Sequence, residues 1–299
     1  MRIKTKCYLT MLFIGFNSNP IFGQETTQEQ IFSNLHGIKF AEFTSYEVEG
    51  YTIYTKTISA QLHGAAFNKT KKRLNIPKDA VETTDSTLVT ENKVYISEST
   101  VLDKISQISI HYFIKENKKH ITLFSFFTNG KRDLELEKLL LESLSKKTIP
   151  KNIYSSQTFD SVLFVGRFIT PGSICSWRDA HNIQCPGYGQ MNWSQFRSLE
   201  RAQEVLECQK NIVLISNNGT ILSQDSVDII FEGVDVRALK IKYKFGIPQI
   251  IMGGSNILII YFVMAEVRNK FVSCVLSHYT DDYNAQNLPP LLSKVMQLK

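Results

Sequence analysis

Ile108-Ser-Ile-His-Tyr-Phe-Ile114 and Ile257-Leu-Ile-Ile-Tyr-Phe-Val263 decide the reading of this chain. Each is an apolar or alternating run of strand length. Each leads into a charged turn, Lys115-Glu-Asn-Lys-Lys119 in one case and Glu266-Val-Arg-Asn-Lys270 in the other. Each turn re-enters an apolar strand, Ile121 to Phe127 and Phe271 to Leu276. A leucine-rich segment with helical spacing closes both, Asp133–Lys147 and Pro290–Leu298. The repeat predicts an α+β fold of two similar halves, each with antiparallel strands and a long hairpin covered by the closing helix. The competing reading is that strand–turn–strand–helix is a common order and that the Tyr-Phe match is accidental. The expected halves are residues 25–150 and 151–299, with Thr148–Thr158 as connector.

Outward from the hairpins, Phe40–Tyr46 and Tyr51–Ser59 alternate around Glu49-Gly50 and predict an antiparallel pair. Val94–Ser97, Val162–Phe168, Ile212–Ser216, Ser226–Phe231 and Leu239–Phe245 read as further strands, and Asn217-Asn-Gly219 as a tight turn into Thr220–Leu222. Asn75–Lys93 is polar and reads as a surface loop. Helices are expected near Ala65–Leu74, over Asp133–Lys147 with Leu134, Leu140, Leu141 and Leu144 on one face, and over Ser194–Gln209. The last would bury Phe196, Leu199, Ala202, Val205 and Leu206.

The first two dozen residues carry an address. Arg2, Lys4 and Lys6 precede the uncharged run Cys7–Phe16, and Asn17–Gly23 supplies a turn-rich approach to a small residue before Gln24. This pattern predicts a signal peptide over residues 1–24 and an exported protein, periplasmic or secreted. The run is too short to span a bilayer, and Gly253-Gly254-Ser255-Asn256 breaks the next longest apolar stretch, so no transmembrane anchor is expected. Removal of the signal lowers the formal net charge from +6 to +3. A nearly neutral surface gives no reason to invoke nucleic acid, and the basic run Lys69–Arg73 lacks interleaved aromatics. The mature chain of about 275 residues suits two average domains.

Export decides how cysteines are read. Cys175, Cys185, Cys208 and Cys274 remain after Cys7 is removed, an even set that favours disulfides, with Cys175–Cys185 closing the shortest loop. The densest chemistry lies between Pro171 and Trp193, which holds both tryptophans of the chain. Trp177, Tyr188 and Trp193 would stack on a flat ligand such as a sugar, with Arg178, Asp179 and His181 adding polar contacts. The alternative is that a disulfide braces the loop and its aromatics pack on one another. A catalytic reading makes Cys185 a nucleophile, His181 its base and Asp179 the orienting group. A zinc site from Cys175, His181, Cys185 and Cys208 matches no known spacing, and no metal is expected. His36, His63, His111, His120 and His278 lie in no metal-ligand spacing, and Gly253-Gly254 lacks the context of a nucleotide loop.

Three Asn-X-Thr/Ser sequons begin at Asn68, Asn192 and Asn218. Asp85-Ser-Thr, Asp160-Ser-Val and Asp225-Ser-Val resemble a bacterial O-glycosylation triplet. No cofactor motif stands out. The leading expectation is a non-catalytic exported binding protein whose Cys175–Trp193 loop contacts a partner protein or a small or saccharide ligand. The runner-up is an exported hydrolase built on Cys185, His181 and Asp179.

Overall fold

The computed structural model describes residues 28–101, 105–158, 161–216, 218–247, 254–279 and 287–299. The expected signal peptide lies outside them, as do Asn217 and Gly253.

The N-terminal half begins with α1 (Gln28–Asn34) and a meander, β1 (His36–Lys39), β2 (Thr44–Val48) and β3 (Tyr51–Ile58). Then come α2 (Gly64–Arg73), the four strands β4 (Val81–Thr83), β5 (Asn92–Val101), β6 (Ile105–Lys115) and β7 (Ile121–Asn129), and α3 (Leu134–Ser145). A 3-10 turn (Lys151–Ile153) and the small hairpin β8 (Val162–Phe164) and β9 (Arg167–Ile169) lead to the C-terminal half. It repeats the order: β10 (Ser176–Asp179), β11 (Asn182–Cys185), β12 (Gly189–Phe196), α4 (Leu199–Ile215), β13 (Gly219–Phe231), β14 (Val234–Phe245), β15 (Ile257–Val267) and β16 (Lys270–Tyr279). A short α5 (Pro290–Ser293) and β17 (Met296–Leu298) complete it.

Both sheets have one topology. The strand order is β1-β2-β3-β7-β6-β5-β4 in the first and β10-β11-β12-β16-β15-β14-β13 in the second, with β17 added at the edge. In each, a three-strand meander accepts the last strand of a four-strand meander, and a helix links the two. The halves are therefore similar, and the hairpins that the sequence matched are equivalent. Tyr112 and Tyr261 face the terminal-helix side of their sheets, whereas Phe113 and Phe262 face α2 and α4. Cross-strand register extends the match: Tyr112 pairs through Phe124 to Thr55 and Thr44, as Tyr261 pairs through Leu276 to Met191 and Ile183.

Each sheet is packed on both faces. Leu136, Leu140, Leu141 and Leu144 of α3 and Ile31 of α1 cover one face of the first, and Phe67 of α2 covers the other. In the second, Leu206, Val213 and Leu214 of α4 cover Ile241, Tyr243, Ile260 and Phe262. The β8–β9 hairpin and α5 close the opposite face through Val162, Phe164, Leu291 and Leu292. The chain also crosses between the halves. Ile38 of β1 is fully buried in the core of the C-terminal half, and Ile153 lies in that of the N-terminal half.

Several expectations need correction. Ser194–Phe196 belong to β12, laddered on Ser273–Phe271, and the helix starts only at Leu199, capped by Ser198 accepting from the Arg201 amide. Ile212–Ile215 are its last turn and not a strand, because Val213 and Leu214 pack on the sheet and tertiary burial overrides their β propensity. Leu134 and Leu199, expected in apolar stripes, stand at helix N-termini and are 62% and 48% exposed. Val165-Gly166, both with positive φ, split the expected strand Val162–Phe168 into a hairpin. The polar stretch 75–93 contains β4. In the closing segment of the C-terminal half only Pro290–Ser293 is helical, and Met296–Leu298 pairs with Phe231–Ile229 as a strand.

Candidate functional site

The loop expected to carry binding is a β-meander whose side chains are mostly committed to structure. Cys175 and Cys185 are joined by a disulfide across β10 and β11. Trp193 is 1% exposed and Trp177 9%, with ring centroids 6.2 Å apart, and Phe164 packs edge-on against Trp193 at 5.4 Å. The indole of Trp177 donates to the Ser156 carbonyl at 3.1 Å. Neither ring can stack on an outside ligand, which corrects that expectation: an inward-facing strand position buries an aromatic in the largest core. Tyr188 and Arg178 remain exposed, and the Arg178 guanidinium donates to Gln184 at 2.6 Å.

The catalytic arrangement is likewise not assembled. The Cys185 sulfur is bonded to Cys175 and is no resting thiolate. Cys208, half-buried in α4, and Cys274, buried in β16, are free thiols, so two of the four cysteines among the described residues stay unpaired. Burial raises the thiol pKa of both. Among the described residues no three His, Cys, Asp or Glu side chains cluster as a metal site.

Asp179 instead holds the halves together, with His181 close to it. Asp179 accepts from Tyr54 of β3 at 2.5 Å, from Ser45 of β2 and from the Ala180 amide at 2.8 Å. His36 of β1 meets Gln195 of β12 at 2.8 Å and lies edge-on to Trp193. Burial, helped by Lys270 and His181, pushes the His36 pKa down to about 4. Burial also lowers that of His181, against the pull of Asp179. Glu47 of β2 is pushed up to about 8 by burial, although Ser194 and the Gly50 amide favour its charged form. Glu49 accepts from the Arg197 guanidinium at 2.8 Å, and Arg197 also reaches Asp133 at 3.2 Å. Glu47 Oε2, His181 Nδ1, Asn192 Oδ1, Trp193 Nε1 and Gln195 Oε1 are buried without a hydrogen-bond partner among the described residues, so this joint is a polar one.

A concave surface lies elsewhere, on the N-terminal half. A groove of about 870 Å3 runs over the terminal-helix face of the first sheet, beyond the end of α3. Its floor is Thr44 and Tyr46 of β2, Thr55 and Thr57 of β3, and Thr122 and Phe124 of β7. Phe40 and Phe43, stacked at 4.8 Å, form one wall, and Leu144 and Lys147 the other. The Tyr46 hydroxyl meets that of Tyr154 at 3.1 Å. The charges on the rim are largely paired: Lys56 with Glu42 at 2.8 Å, and Lys115 with Glu91.

No protein-family model matches this chain, and no curated protein matches it in sequence. Geometry alone therefore carries the functional reading. The joint residues Ser45, Glu47, Tyr54 and Gln195 escaped the sequence reading because nothing in a single strand says what will pack on it. Glu47, a charge between apolar neighbours in Thr44-Ser-Tyr-Glu-Val48, was the one legible signal.

Proposed function

We propose that this is an exported, non-catalytic binding protein whose contact surface is the groove of the N-terminal half. The observation that carries the reading is the contrast between two sets of residues. Asp179 is spent on the joint, Cys185 on the disulfide, and His181 has no thiolate to activate, while a concave surface with hydroxyls, aromatic rings and paired charges stays open among the described residues. The cationic-apolar start of the chain and the disulfide support export, and among the described residues no helix is long and apolar enough to cross a membrane. Arg178 and Tyr188 of the 175–193 meander remain available as a lesser surface for a partner protein.

The test is a binding screen of the disulfide-intact protein against immobilised oligosaccharides, peptides and lipids, repeated with Thr57→Trp. Filling the groove with an indole should abolish binding of any groove ligand. Binding that survives the indole overturns the groove as contact surface, and a wild-type protein that retains none of the probes overturns the binding role.

A further inference from the structure

Resting on that reading, we propose that the groove binds a neutral saccharide through a floor of threonine hydroxyls. The two sheets give the same position twice. Register places Thr44, Thr55, Thr57 and Thr122 of the N-terminal half at the positions of Ile183, Met191, Trp193 and Cys274 in the C-terminal half. Those four are buried in the largest core, none more than 2% exposed, beneath the β8–β9 hairpin. The four threonines stand on the same face of an equivalent sheet, and among the described residues no hairpin is laid on them. Where one copy fills this face with an indole, a thioether, an aliphatic chain and a thiol, the other lines a groove with hydroxyls. Thr122 donates to Glu116, and Thr44 and Thr55 bond the Tyr46 hydroxyl, which leaves their oxygens able to accept from a ligand.

Threonine is as good a strand former as isoleucine, so β propensity alone does not call for polar residues at all four positions. A hydroxyl both donates and accepts, which suits a ligand whose own groups are hydroxyls. The half-buried Phe40–Phe43 stack provides a ring surface for the apolar face of a sugar. With Lys56 and Lys115 each paired to a glutamate, the rim has no dominant sign, which argues against a phosphate or a polyanion. A peptide strand would need an unpaired sheet edge, and β2, β3 and β7 are each hydrogen-bonded on both sides.

The experiment measures calorimetric affinity of the disulfide-intact chain for neutral gluco-, manno-, galacto- and xylo-oligosaccharides, a sulfated glycan and a mixed peptide library. Thr55→Val, Thr122→Val and Thr57→Trp are measured beside wild type. Valine keeps the shape of threonine and removes only the hydroxyl. The expected result is a neutral oligosaccharide that binds wild type, weakens about 10-fold in each valine variant and is lost in Thr57→Trp. A groove ligand that is a peptide or a polyanion, or that ignores the valine substitutions, overturns the saccharide assignment while leaving the binding role intact. Saccharide binding that survives Thr57→Trp overturns the groove, and absence of all binding to wild type overturns both. If Thr57→Trp fails to fold, the double variant Thr44→Val/Thr122→Val reads the same question.

Discussion

Tyr54 on the third strand of the N-terminal half donates its hydroxyl to Asp179 of the C-terminal half at 2.5 Å, across 125 residues of sequence. The same carboxylate accepts from Ser45, so one acidic side chain fastens two strands of the opposite half. Tyr54→Phe leaves a partly buried carboxylate oxygen without its donor and should cost about 2 kcal/mol. Asp179→Asn should cost a similar amount, and the double variant less than the sum. Denaturant unfolding of the four proteins checks this, and additive losses would mean that the two groups do not act as a pair.

Acid should loosen the molecule. His36 and His111, both pushed to about 4 by burial, are neutral when folded and protonate near 6.5 when unfolded. The unfolded chain therefore binds more protons between those values. The contribution of these histidines is complete above pH 6.5 and falls as the pH drops towards 4, by on the order of 3 kcal/mol for His36 alone. His181 shifts in the same direction. Below pH 6.5 the histidines together outweigh the opposite contribution of Glu47, so unfolding midpoints measured from pH 6.5 to 4.5 should fall, and His36→Gln should flatten the slope.

Glu47 has the opposite sign. Its folded pKa of about 8 lies above the ordinary 4.5, so its contribution is intact below 4.5 and is lost as pH rises through 8. Glu47→Gln removes the titration and should raise stability relative to wild type at pH 8.5, with little difference at pH 5. A wild-type protein unaffected between pH 6 and 8.5 would show that Glu47 is ionised in the fold.

The Cys175–Cys185 bridge closes a loop ten residues long. Its removal in the double alanine variant should cost about 2–3 kcal/mol. Both tryptophans lie in the core it braces, so their emission should shift to the red if the meander opens on reduction. Cys274 should accept a thiol label only after unfolding, and Cys208 before it.

Gly50 takes φ +82° in the tight turn after Glu49, and a Cβ there would meet Val205 of α4 at 2.6 Å. Gly50→Ala is therefore doubly penalised, by backbone strain and by overpacking, and should destabilise by about 2–3 kcal/mol in thermal unfolding.

Much of the fold could be read from local pattern. The paired hairpins at Tyr112 and Tyr261, the Glu49-Gly50 turn and the α3 stripe were legible because alternation and helical spacing are properties of a few consecutive residues. The helix–strand boundary at Phe196 was misplaced because Phe196, Ala202 and Val205 fit helical spacing, while the ladder to Phe271 that holds Phe196 in a strand lies 75 residues away. The expected site failed for a related reason. Trp177 and Trp193 have the composition of a binding loop, and only the hairpin packed over them makes them core. The groove left no motif, since Thr44, Thr55, Thr57 and Thr122 come from three strands and become a set only through register.

Ile38 and Ile153 make each half depend on the other for its core. Ile38 of the N-terminal half fills the C-terminal core and Ile153 of the connector fills the N-terminal core, so a break after residue 150 would leave both fragments with a hole and an orphaned plug. Either half excised by itself should therefore fold less stably than it does within the whole chain.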